Sequence, residues 1–323
     1  MSRMKILSVI GAVAALAILS ACLPVVNHPG KQVSEPDIVN GNFVAGDGSA
    51  LPVRSWLPTD RKVRAVIVGL HGFNDYSNFF AAPGSYLSGH GIASYSYDQR
   101  GFGGAPGRGF WPGIEAYTDD LSCFVKQIRK RHPGVPLYIL GESMGGAVTI
   151  VAMAGSNPPD ADGVILVAPA VWGRETMPWY QRGLLAFASH TFPWLKLTGK
   201  GMDIKPSDNI EMLRSLGRDP LVIKATRVDT LYGLTNLMDA ALSQADRLQL
   251  PTLVQYGEND QIIPKEPTFL MLEKMPGSTR KAFYKPGYHM LLRDLQGEKP
   301  LADIASWIGD HSIRLPYGKD SWQ

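Results

Sequence analysis

The sequence predicts an α/β fold: a mostly parallel, doubly wound sheet interrupted by one long helical insertion. Apolar runs rich in β-formers alternate with helical patterns along most of the chain. Strands buried on both faces read as such continuous runs, and the alternation implies a parallel sheet covered on both sides. The alternation lapses over residues 172–236, where Trp172, Trp179, Phe187 and Trp194 belong to an apolar series at helical spacing with no intervening strand. With 323 residues and 45% hydrophobic side chains the chain can bury one large core, so the lapse reads as an insertion into a single domain.

Taken in order, residues 1–21 begin with the basic Arg3 and Lys5 and run into an apolar stretch over 6–19. That stretch is shorter than the roughly twenty residues a membrane span needs, which is the pattern of a secretory leader. Its end, Leu19-Ser20-Ala21-Cys22, resembles the lipobox of bacterial lipoproteins, where cleavage leaves the cysteine as a lipid-modified N-terminus. The resemblance implies lipidation at Cys22 and a membrane-anchored protein of the bacterial cell envelope. Because Leu23 rather than aspartate follows, it points to the outer membrane facing the periplasm. An ordinary leader cut near Ala21, or an uncleaved anchor, is the competing reading. Cys123 is the only other cysteine and falls in a distant helical pattern, so no structural disulfide is expected. Net charge is +3, of which Arg3 and Lys5 would leave with the leader, and nucleic acid is not an expected partner.

Residues 22–37 hold Pro24, Pro29, Gly30, Ser34 and Pro36 without periodicity and read as a tether, reaching roughly 50 Å if extended. The core is expected over 38–171 and 237–315, with 172–236 as the insertion. Two strands near 42–45 and 50–57 form a hairpin around Gly46-Asp47-Gly48. A buried strand over 63–70 runs into His71-Gly72-Phe73. A helix over 78–88, a strand over 92–97 and a glycine-rich loop over 99–113 follow. That loop is no dinucleotide fingerprint, because Pro106 stands at the last glycine and no helix begins there. A helix over 114–131 leads to the strand 137–140. After it come a helix from Met144, a strand over 163–171, and, beyond the insertion, a strand over 252–256, a helix over 266–275, a strand over 280–284 and a helix over 301–311.

The chemistry is organised around 137–152, LYILGESMGGAVTIVA. In a sharp strand-to-helix turn a serine is held in strained backbone, and the residues two before and two after must be tiny. Gly141 and Gly145 meet that demand around Ser143. A serine hydroxyl needs a base to take its proton and a carboxylate to orient the base. Asp260 follows the strand PTLVQY in Gly257-Glu258-Asn259-Asp260, and His289 follows the next strand in Gly287-Tyr288-His289. Ser143, Asp260 and His289 thus lie on loops just after sheet strands, and such loops meet at one edge of a parallel sheet. Glu258 is the competing acid, and Asp260 could instead begin a turn while His289 caps a helix. The N–H groups of Met144 and Phe73 are the expected oxyanion donors. His71 is read as a brace for their loop.

The motifs HGF, YDQRGFG, GESMGG, GENDQIIP and GYHMLLRD, in this order, resemble the monoacylglycerol lipase and lysophospholipase branch of the α/β-hydrolases, also grouped with serine aminopeptidases. The likeness spans about residues 38–313. It implies an α/β-hydrolase fold, Ser143 as nucleophile, Asp260 as acid, His289 as base, Phe73 and Met144 as oxyanion hole, and a cap over an acyl pocket in 172–236. Two departures stand out. Asn74 occupies the second glycine of the HGxG pattern, and Glu142 replaces the histidine that often precedes the nucleophile. Asparagine tolerates left-handed backbone, so the turn can survive. The expected activity is hydrolysis of acylglycerol or lysophospholipid esters without metal or cofactor. A broad esterase or aminopeptidase on the same triad, or a lipid-tethered binding protein without turnover, are the alternatives.

Overall fold

The computed structural model describes residues 23–201 and 203–322. The leader and the lipidation expected at Cys22 lie outside them. Strands β1 (Asp37–Val39), β2 (Asn42–Val44) and β3 (Ala50–Trp56) pair antiparallel in turn, the second pair being the expected hairpin. Then come β4 (Ala65–Leu70), a short 3-10 turn, α1 (Ala81–Ser88) and β5 (Ile92–Tyr97). Helix α2 (Ile114–Arg131), strand β6 (Leu137–Glu142), α3 (Met144–Ala154) and β7 (Gly163–Val167) continue the alternation. The insertion contributes α4 (Trp179–Thr191), β8 (Lys196–Leu197), α5 (Ile210–Arg218) and β9 (Thr226–Arg227), with β8 and β9 pairing apart from the main sheet. Helix α6 (Val228–Gln244), β10 (Thr252–Gly257), α7 (Lys265–Lys274), β11 (Arg280–Tyr284) and α8 (Glu298–Gly309) complete the order.

The main sheet runs β1-β2-β3-β5-β4-β6-β7-β10-β11, parallel from β5 to β11. Every residue of β4 is buried, and its side chains divide by parity. Val66, Val68 and Leu70 join a core with α2, α3 and α6, while Ala65 and Ile67 join a second core with α1 and α8. This is the expected α/β-hydrolase arrangement, with helices on both faces. The free Cys123 is half-buried on α2.

Most boundaries shift by one to three residues from the sequence reading, and two differences change the architecture. The strand expected over 163–171 stops at Val167: the Ala168 N–H still makes the last ladder bond, to the Gln255 carbonyl, but its φ of 44° turns the chain out of the sheet. The division at 236 falls inside α6. One end of that helix meets the glycine-rich loop, with Thr230 donating to the Gly109 carbonyl and Trp111 against Gly233; the other end buries Leu237, Ala241 and Leu242 in the core.

The stretch read as a tether is fastened over much of its length. Asn27 N–H donates to Trp111 O at 2.7 Å, Gly30 N–H to Asp47 Oδ2, and Val33 and Ser34 N–H to Gly46 O. Proline and glycine composition signals a lack of regular structure, not of contacts, and here the backbone finds its partners on the hairpin and the glycine-rich loop.

Candidate active site

Four loops leave the same edge of the sheet, and each brings one part of the site. The first follows β4. His71 is fully buried; its Nδ1–H donates to Gly72 O at 2.8 Å while Nε2 accepts from Gln99 N–H at 2.9 Å. An amide N–H can only donate, so Nε2 is unprotonated and the ring is neutral, as its burial also favours. His71 is therefore a brace. It holds Gly72 against the serine, where a Cβ would come within 3.3 Å of the Ser143 Cβ. Asn74 has φ 65°, the left-handed backbone expected of the residue at the missing glycine.

The second loop is the turn between β6 and α3. Ser143 has φ 53° and ψ −115°, a strained conformation for a side chain other than glycine. The neighbours show why it needs small residues: a Cβ on Gly141 would lie 2.4 Å from Gly145 O, and one on Gly145 would lie 2.3 Å from Leu70 O. Among the described residues the N–H groups of Phe73 and Met144 donate to no protein acceptor.

The third and fourth loops follow β10 and β11 and are locked together. Asn259 N–H donates to Gly287 O, and Gly257 packs backbone to backbone on Gly287. Asp260 accepts Ile262 and Ile263 N–H on Oδ1 and the His289 Nδ1–H on Oδ2 at 2.7 Å, with its side chain fully buried. Of the two candidate acids, Asp260 is thus the one joined to His289; Glu258 faces a separate cleft beside Pro286 and Tyr317. Burial alone would disfavour the imidazolium, but the charge and hydrogen bond of Asp260, aided by Glu142, outweigh it against an opposing Arg293. The His289 pKa is raised above its ordinary 6.5.

A family described as Serine aminopeptidase, S33 matches residues 61–296. The chain belongs to this family. It is 26% identical over 289 residues to the monoacylglycerol lipase of Mycolicibacterium smegmatis, covering 84% of this chain and 96% of that one. It is also 26% identical to the human monoglyceride lipase, covering 79% of this chain and 84% of that one. The solved monoglyceride lipase of Saccharomyces cerevisiae superposes with a TM-score of 0.71 at 22% identity, over 89% of this chain and 99% of that one. These relatives put the chain on the monoacylglycerol lipase branch of the α/β-hydrolases. The protein is a carboxylic ester hydrolase.

One buried group escaped the sequence reading. Arg293, on a 3-10 turn four residues after His289, donates to Glu142 Oε1 at 2.6 Å and to Asp75 Oδ2 at 2.8 Å. A single guanidinium therefore ties the histidine loop to the serine turn and to the loop after β4. Burial raises the pKa of Glu142, against the pull of Arg293. The motif GYHMLLRD contains the arginine, but its partners lie 151 and 218 residues away. The insertion is tied in as well: Asn74 Nδ2 donates to Thr226 Oγ1 at 2.8 Å, Ile223 N–H donates to Asn74 O, and Ser207 Oγ donates to Asp294 at 2.6 Å. Burial lifts the Asp294 pKa to about 6.

Proposed function

We propose that the protein hydrolyses the carboxylic ester of monoacylglycerols or lysophospholipids through an acyl-enzyme on Ser143. The observation that carries this reading is the buried Asp260–His289 pair on the same sheet edge as a serine in strained backbone. With Nδ1 committed to Asp260, Nε2 is the nitrogen left to take the Ser143 proton. Ser143 Oγ attacks the ester carbonyl, and the resulting oxyanion is held by the Phe73 and Met144 amides. His289 then protonates the departing alcohol, and water activated by the same imidazole releases the acid.

Substrate class rests on the branch, whose members named above are monoacylglycerol lipases. The lipobox-like end of the leader supports an anchor at Cys22 in the cell envelope, on the outer membrane by the residue that follows. Because residues 27–34 are fastened to the body, such an anchor would leave only about four free residues, roughly 13 Å of chain.

The decisive experiment is labelling by a serine-reactive fluorophosphonate, abolished by Ser143→Ala, with kcat on a medium-chain monoacylglycerol falling about 10⁴-fold or more. Undiminished labelling of the variant would sink the assignment. Preference for an aminoacyl anilide over the glyceride and lysophospholipid would make the protein a peptidase. Metabolic incorporation of a fatty acid, lost on Cys22→Ser, tests the anchor.

A further inference from the structure

A cleft of about 620 Å³ opens between the glycine-rich loop and the insertion, and neither Ser143 nor His289 is among its lining residues. Its walls carry Arg108, Lys196, Arg218, Lys224 and Arg227 against one carboxylate, Asp219. That carboxylate is already engaged, accepting the Tyr76 hydroxyl at 2.7 Å and the Leu221 N–H at 2.8 Å. Arg227 is balanced by Asp229 and lies over the Phe110 ring. Arg108 and Lys224 donate to backbone carbonyls of Pro220, Asp219 and Val222, which places their charges without neutralising them. Lys196 and Arg218 have no side-chain partner among the described residues. Hydrogen bonds from neutral donors leave Asp219 charged, so the five cations outnumber Asp219 and Asp229 by three, a field that selects anions.

The surroundings decide which anion. Residues 176–202 contain no aspartate or glutamate but include Arg182, Lys196 and Lys200. Helix α4 in this stretch leaves Trp179 76%, Leu184 66% and Phe187 62% exposed, and Trp194 and Leu195, just before β8, and Leu197 within it are exposed as well. A soluble phosphate has no use for an exposed apolar face on the element that supplies Lys196 to the cleft. A headgroup attached to acyl chains does, since cations meet the phosphates while aromatic and aliphatic side chains enter the interface. The route to Cys22 leaves from the same wall: Val26 bridges to Trp111, three residues after Arg108, and Leu23 and Val25 are exposed.

We propose that this cleft binds the phosphate-bearing headgroups of anionic lipids and seats the face formed by α4 and β8 on a negatively charged membrane. The contact is separate from ester hydrolysis and from acylation of Cys22, and it adds orientation to whatever the N-terminus anchors. The cleft wall is hydrogen-bonded to Asn74, so the seated face lies next to the loop beside Ser143.

The test uses full-length protein carrying Cys22→Ser, which cannot be acylated there, and vesicles of phosphatidylcholine alone or equimolar with phosphatidylglycerol. Binding is expected to favour the anionic vesicles and to weaken with salt. The double charge reversal Lys196→Glu with Lys224→Glu is expected to lower affinity for anionic vesicles at least about tenfold, at roughly 1 kcal/mol per basic side chain near the surface. Hydrolysis of a soluble short-chain ester should persist in that variant, which reports its fold. Trp194→Ser with Phe187→Ser should weaken vesicle binding while keeping the charge preference. Equal binding to both vesicle types, or a charge-reversed protein that binds like the parent, overturns the proposal. So does saturation of the cleft by inorganic phosphate with no vesicle binding, which would make the ligand a free phosphate.

Discussion

His289 can accept a proton only as the neutral imidazole, and its pKa is raised above 6.5 because Asp260 and Glu142 outweigh burial. The raised value means that the acid limb of kcat/KM has its midpoint above pH 6.5, with activity rising as pH increases through it. A limb centred below 6.5 would contradict the arrangement. Asp260, Glu142 and Arg293 are the charged groups facing the ring. Glu142→Gln removes a negative charge and should move the limb down. Arg293→Met removes a positive one and should move it up. The same substitution leaves Glu142 and Asp75 buried without their cation, at a cost of about 3 to 5 kcal/mol read from denaturant midpoints. Arg293→Lys should restore the limb but only part of the stability, since an ammonium cannot fork between two carboxylates as a guanidinium does.

At the scale of elements, the turn between β6 and α3 is limited by backbone crowding. A methyl on Gly145 would press on the Leu70 carbonyl of the neighbouring strand. Gly145→Ala should therefore cost about 3 kcal/mol of stability and most of the activity, measured by thermal unfolding and ester turnover. An alanine variant of parental stability would show that the turn relaxes easily. This turn was legible in the sequence because its demand is local: two glycines around a serine between an apolar strand and a helix. The β10 and β11 loops were legible for a related reason, since strand ends in a parallel sheet share one edge. The choice between Glu258 and Asp260 was not, because both follow β10 within four residues and only the folded loop shows which one meets the imidazole. The insertion was visible as a lapse in alternation, but its end was not, since α6 serves both the insertion and the core without a break in helical pattern.

For the whole molecule, that shared helix couples insertion and core. Leu237 is fully buried where α6 meets the core, and Leu237→Ala should cost about 3 kcal/mol while unfolding remains a single cooperative transition. Two separated transitions would mean that the insertion melts on its own. The residues before β1 behave comparably: composition marks them as irregular, and folding fastens them to the hairpin and the glycine-rich loop.

The chain's periodicity and local spacing by themselves determined the layered sheet, the serine turn, and the order in which acid and base follow it, because each depends on neighbours a few residues apart. Only the tertiary structure decided that Asp260 orients His289, that Arg293 binds three loops at once, and that cations from the glycine-rich loop and the insertion share one cleft. These are pairings across tens to hundreds of residues. The sheet's crossovers bring them together, and no local pattern in the chain encodes them.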